Sequence, residues 1–220
     1  MSRQVIIGFT TEGQTDTRFL ESIIQRSFED VAFECSGQVE VLPIQYIERQ
    51  KGSFVAVVTD YAQHAEKLGM MVLCVHADAD AKSDIDTFNN KIIPAFIAVR
   101  NEHGKTVCKN LVAIVPVQMT EAWMLSDKDL LRSEIGTGKS DVELGIHKSP
   151  EGYADPKQAI EAAIRVAGQD FTKRRRHKLT IAELYLPLGQ KISLAKLEIL
   201  PSYPKFKEAV QVAFKKLGYL

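Results

Sequence analysis

The chain has 220 residues, enough for one large domain or a domain with a smaller appendage. With 45% hydrophobic and 25% charged residues it has the make-up of a globular protein with a real core. No apolar run approaches the ~20 residues that a membrane span requires, and the formal net charge is zero.

That zero hides an asymmetry. Residues 171–220 carry 11 Lys and Arg against 3 acidic residues, whereas the first 170 carry 17 against 25. A basic end beside an acidic end fits a polyanion surface next to a metal site, and it equally fits a solvated, Lys-rich helical surface. The opening Met-Ser-Arg-Gln-Val-Ile-Ile-Gly lacks the long apolar stretch and cleavage site of a signal peptide. Cys35, Cys74 and Cys108 are odd in number and widely spaced, so neither a disulfide framework nor a zinc site is indicated. A cytoplasmic protein is expected.

Residues 4–9 predict a short buried strand that breaks at Thr-Thr-Glu-Gly. Phe19, Leu20, Ile23, Ile24 and Phe28 then mark the apolar face of a helix running to about Asp30. Val39–Gln45 predicts a second strand, with Pro43 pointing to an edge position. Ser53 is placed to cap a helix that Gly69 ends, and Met70–Val75 is the clearest buried strand. A helical stretch from about Ile85 is expected to be interrupted at Pro94. Asn110–Val117 predicts another buried strand, after which Thr120 is expected to cap a short helix, Glu-Ala-Trp-Met-Leu.

This alternation implies a mostly parallel sheet with helices on both faces, an α/β core over residues 1–135. Residues 136–154 read as a long loop. Asp155-Pro156 then opens a helix to about Ala167, and shorter helices follow, punctuated at Pro187-Leu188-Gly189 and at Pro201. Residues 136–220 are therefore expected to form a helical, basic extension packed on the core.

In open α/β sheets, chemistry gathers where strands end and loops begin. Glu12 stands at one such end, followed by Gly13, which permits a tight turn. Asp78 and Asp80 follow the third strand, and in an extended loop residues two apart point the same way. Converging carboxylates repel one another, and a hard divalent ion such as Mg²⁺ is the usual resolution. Each acid also has a plainer reading: Glu12 as a helix N-terminal acid, Asp16 and Asp84 as caps.

The segment Phe-Thr-Thr-Glu12-Gly13-Gln-Thr-Asp16-Thr-Arg-Phe19-Leu20 resembles the first motif of TOPRIM domains, and Leu73-Cys-Val-His-Ala-Asp78-Ala-Asp80 resembles the second. TOPRIM domains occur in topoisomerases, primases and nucleases related to the OLD (overcoming lysogenisation defect) family. Ile114 to Asp127, the Leu184-Tyr185 pair and Pro201 to Phe206 are similar to a bacterial group of TOPRIM-like proteins met beside ATPase partners. These tail segments carry no evident chemistry.

The resemblance implies a TOPRIM-like, Rossmann-like fold, with Glu12 as general acid/base or shared ligand and Asp78 and Asp80 as Mg²⁺ ligands, Mn²⁺ being able to substitute. Glu121 would be a further acid for a second metal, about 3.5–4 Å from the first. It implies nucleic acid as partner, DNA or RNA, cut by hydrolysis in defence against foreign elements with an ATPase. The rival expectation is a non-catalytic nucleic-acid-binding or regulatory subunit on the same scaffold, and a third is hydrolysis of a small nucleotide.

The chain is short for a topoisomerase's separate tyrosine domain and has no cysteine set for a primase's zinc domain, which leaves hydrolysis. Lys178 or Lys191 would supply the cation that steadies the scissile phosphate, and Lys173, Arg174, Arg175 and Arg176 would contact the nucleic-acid backbone. Trp123 is expected in the core, and His76 as a packed strand residue. Gly136-Thr-Gly138-Lys139-Ser140 only imitates a P-loop, since Ser133 replaces its first glycine and no buried strand precedes it. Asp78 to Asp84 imitates a calcium loop but lacks its glycine and glutamate.

Overall fold

The structure, a computed structural model, describes residues 3–48, 50–170 and 179–220. The first predicted strand is two short ones, β1 (Arg3–Val5) and β2 (Ile7–Thr10), and the second is likewise divided into β3 (Val39–Val41) and β4 (Gln45–Tyr46). β1 pairs with β3, while β2 pairs with β4. The two breaks face each other. Pro43 has no amide hydrogen for the ladder, and the Ile44 amide turns to the Gln25 side chain at 3.0 Å. Ile6 directs its carbonyl to Met71 at 2.8 Å.

β5 (Val72–His76) and β6 (Leu111–Ile114) complete a four-stranded sheet of order β4-β2-β5-β6, and every recorded pairing is parallel. Side chains alternate between two buried faces. Ile7, Phe9, Cys74, Val112 and Ile114 enter one core with α1 (Gln14–Ala32), and Leu73, Val75 and Leu111 enter another with α2 (Phe54–Lys67). This is an α/β, Rossmann-like arrangement with helices on both faces of a parallel sheet.

Ser53 caps α2 as its position predicts, accepting a hydrogen bond from the Ala56 amide. The crossover from β5 to β6 is α3 (Ile85–Thr87), a π-helical turn (Phe88–Ile92) and α4 (Ile93–Arg100). Pro94 was expected to interrupt this helix. Instead the chain widens into the π turn and continues, which accommodates a residue that cannot donate. Because α1 leaves β2 toward one face and α4 leaves β5 toward the other, the topological switch point lies between β2 and β5, and a crevice opens at their carboxyl ends.

Beyond β6 come α5 (Thr120–Met124), α6 (Lys128–Ile135), α7 (Pro156–Ala167), α8 (Tyr185–Lys191), α9 (Leu194–Leu197) and α10 (Tyr203–Lys216). Asp155 caps α7 through the Gln158 amide, with Pro156 in the first turn. The loop after α6 is anchored by buried Leu144, Ile146 and Tyr153.

Pro187-Leu188-Gly189, expected as a break, runs inside α8. Pro187 falls in the first turn, where an amide hydrogen has no partner to lose. Gly189 is required by packing, since a Cβ there would lie 2.5 Å from the Phe19 carbonyl oxygen of α1. Trp123 is fully buried as expected, edge-on to Tyr203 and donating to Ser202 Oγ at 2.7 Å. The helices after residue 136 thus share one hydrophobic cluster with β2, β5 and α1. Among the described residues, no helix is long and apolar enough to cross a membrane.

Candidate functional site

His76, the last residue of β5, is the centre of the crevice. Its ring is buried, and its Nδ1 accepts the Glu12 amide at 3.4 Å. Its Nε2 lies 3.2 Å from Asp78 Oδ1 and 3.1 Å from Thr120 Oγ1. With Nδ1 accepting, Nε2 carries the proton and donates, a tautomer inferred from the network. Burial disfavours the imidazolium, but the Asp78 hydrogen bond and the charges of Asp78, Asp16 and Glu12 outweigh it and push the His76 pKa up. His76 is packed as expected, and it also reaches Asp78.

Glu12 follows β2, half-buried, with Oε1 3.5 Å from the Lys91 ammonium of the π turn. Asp16 lies in the first turn of α1, where Oδ2 accepts the Gly13 amide at 3.0 Å, so its reading as a cap is correct. It has a second property. Burial pushes its pKa up to about 6, opposed by His76 and reinforced by the negative charges of Asp78 and Glu121. Asp16, Asp78 and Glu121 are therefore neighbours electrostatically.

Asp78 Oδ1 accepts the Thr120 amide at 2.9 Å and the Thr120 hydroxyl at 3.3 Å. Thr120 is thus not the cap of α5. It is the first helical residue after Met119, and the cap is supplied by the carboxylate across the crevice. Glu121, also buried, accepts a hydrogen bond from the Tyr185 hydroxyl. Burial and this carboxylate push the Tyr185 pKa up, so the tail residue expected to be without chemistry holds a candidate ligand in place.

Asp80 behaves differently. It is exposed and left-handed at φ 52, so the extended alternation that would aim it with Asp78 does not hold there. Its amide donates to the Gln118 carbonyl at 2.7 Å, and Gln118, left-handed at φ 63, donates to Ala81 at 2.9 Å. Two non-glycine residues in this region lace the loops after β5 and β6 together, a backbone arrangement that clusters at functional sites. Asp84 gives both oxygens to Lys205, at 2.8 and 2.6 Å, which takes it out of any ion-binding loop.

A hard cation suits this donor set by chemistry, since the acids offer oxygen alone. Asp16, Asp78 and Glu121 each commit one carboxylate oxygen to a protein donor. As the side chains stand, however, no three His, Cys, Asp or Glu among the described residues are grouped to hold one ion. The site is an acidic edge, not an assembled metal cage.

No family model, curated protein or solved structure matches this chain. The functional reading therefore rests on motif and geometry.

Of the cations expected from sequence, Lys191 pairs with Glu134 at 2.7 Å, away from the site. Lys173, Arg174, Arg175, Arg176 and Lys178 lie outside the described residues. Among the described residues, Lys91 is a cation beside Glu12, which no spacing signal marked because the π turn that presents it is a tertiary adjustment. Asp16 was legible as part of Glu-Gly-x-x-Asp, but its burial was not.

Proposed function

We propose that this chain is a Mg²⁺-dependent nuclease of TOPRIM type, hydrolysing phosphodiester bonds in DNA or RNA, with Mn²⁺ able to replace Mg²⁺. The observation that carries the reading is the gathering of Glu12, Asp16, Asp78 and Glu121 at the switch point of a parallel sheet. Such a cluster repels itself, and a hard divalent ion relieves the repulsion. When bound, the ion supplies neutralising charge at the scissile phosphate and a more acidic water.

The chain's own groups do the rest. Asp78, Asp80 and Glu121 would offer oxygens to the ion, from side-chain positions other than those they hold here. Glu12 is the proton acceptor, and Lys91 beside it steadies negative charge developing on the phosphate. The basic run from Lys173 to Arg176 is assigned to backbone phosphates, and Lys178 to the scissile phosphate, from the sequence alone. An ATPase partner, a defence role and a cytoplasmic location belong to the same proposal through the motif resemblance.

The test is cleavage of single- and double-stranded DNA and RNA with Mg²⁺ or Mn²⁺. Asp78→Asn and Glu12→Gln should each abolish it, and cleavage persisting in both variants would reject the assignment.

One observation favours a second reading. Asp78 and Glu121 already serve structural hydrogen bonds, as they would in a nucleic-acid-binding subunit that keeps the scaffold without catalysis. Binding that survives chelator and Asp78→Asn, without cleavage, would select that reading.

A further inference from the structure

Beside the acidic edge, on the α2 face of the sheet, lies a cavity of about 230 Å³. Its walls are the Phe54, Val57, Val58 and Tyr61 side chains of α2 and Val75 of β5. Thr10 lines it from β2. On β2, Ile7 and Phe9 face α1, so Thr10, like Gly8, faces the opposite side. Its side chain is 2% exposed, yet Oγ1 has no hydrogen-bond partner. A buried hydroxyl left unpaired is costly and needs an explanation.

The mouth of the cavity has the opposite character. Lys91 and Glu12 stand there, with Gln50 and the start of α2, a 14-residue helix whose amino end favours negative charge although Ser53 already accepts its Ala56 amide. An apolar slot with a buried hydroxyl in its wall and one cation, Lys91, at its mouth takes a flat heterocycle whose anionic group meets Lys91 in competition with Glu12. The volume is below the roughly 300–1,000 Å³ of clefts for drug-sized ligands, so one ring system with its sugar is the limit.

We propose that this cavity is a nucleobase subsite. It holds the base of the nucleotide whose phosphate lies at the acidic edge, with Thr10 Oγ1 bonding the base and Phe54 and Tyr61 against its faces. The position of the phosphate rests on the nuclease reading above; the base site rests on the cavity and Thr10. In a duplex the base would be stacked, so the subsite selects a single-stranded, frayed or flipped nucleotide.

The test is equilibrium binding of 5′-AMP and 5′-CMP to the full chain in chelator, against ribose 5-phosphate and inorganic phosphate. The mononucleotides should bind more tightly than ribose 5-phosphate. Thr10→Val, which removes only the hydroxyl, should weaken them roughly three- to tenfold while leaving ribose 5-phosphate unchanged. Val57→Phe, which fills the slot from a half-buried helix position, should abolish the preference for the base. Equal binding of mononucleotide and ribose 5-phosphate would overturn the proposal, as would base preference unchanged in both variants, the result expected if water alone satisfies Thr10.

The two readings can fail separately. Base-dependent binding lost in Val57→Phe, in a protein that cleaves nothing, keeps the subsite and rejects the nuclease. Metal-dependent cleavage with KM for short single strands unchanged in both variants keeps the nuclease and rejects the subsite.

Discussion

Asp78 accepts the backbone amide of Thr120 at 2.9 Å and so caps a helix 42 residues further along the chain. The residue proposed as a metal ligand is thus also a structural clamp between the loops after β5 and β6. Its two roles are separable, because an amide oxygen can accept the same hydrogen bonds but binds a divalent ion poorly.

Asp78→Asn should therefore fold with near wild-type stability, whereas Asp78→Ala should lose about 1–2 kcal/mol, the usual cost of deleting a cap. Urea denaturation in chelator measures this difference. Equal stability of the two variants would show that the clamp contributes nothing.

Asp16 sets a pH dependence. Its folded pKa of about 6 lies above the ordinary 3.8, so between those values the folded state binds more protons than the unfolded. Its contribution to stability accordingly falls as pH rises through that window, and the loss is complete above about pH 6. The gap corresponds to roughly 3 kcal/mol. Asp16→Asn, whose amide oxygen can still accept the Gly13 amide, should raise Tm at pH 7 and leave it nearly unchanged at pH 4. Mg²⁺ should stabilise wild type more at pH 7 than at pH 5; a Tm rise that ignores pH would disconnect Asp16 from the ion.

Tyr185→Phe removes the hydroxyl that holds Glu121. A buried carboxylate deprived of its donor loses about 1–3 kcal/mol. Chemical denaturation should find that loss, and Glu121→Gln combined with Tyr185→Phe should cost less than the sum of the single changes. Additive losses would mean that the two side chains do not act as a pair.

Gly189→Ala tests the approach of α8 to α1. A methyl group 2.5 Å from the Phe19 carbonyl oxygen meets backbone, which cannot step aside as a flexible side chain would. The substitution should cost about 1–3 kcal/mol, against the gain that alanine normally brings to a helix. A stabilised variant would show that the two helices are not in contact.

The sequence by itself determined the elements that depend on neighbouring residues. Apolar runs and their periods placed strands at residues 4–9, Met70–Val75 and Asn110–Val117, overlapping the observed Ile7–Thr10, Val72–His76 and Leu111–Ile114, and the side-chain caps Ser53 and Asp155 stood where helices begin. Their alternation implied a parallel sheet, and strand-end logic put Glu12 and Asp78 beside one another. Only the tertiary structure decided what those residues touch. Tyr185 reaches Glu121 across 64 residues, Lys91 reaches Glu12 across 79, and Asp78 displaces Thr120 as the cap of α5. Asp80 leaves the extended path because its left-handed backbone locks onto Gln118. Periodicity reports which face of an element is buried, whereas these contacts depend on how separate elements pack, and no local pattern encodes that.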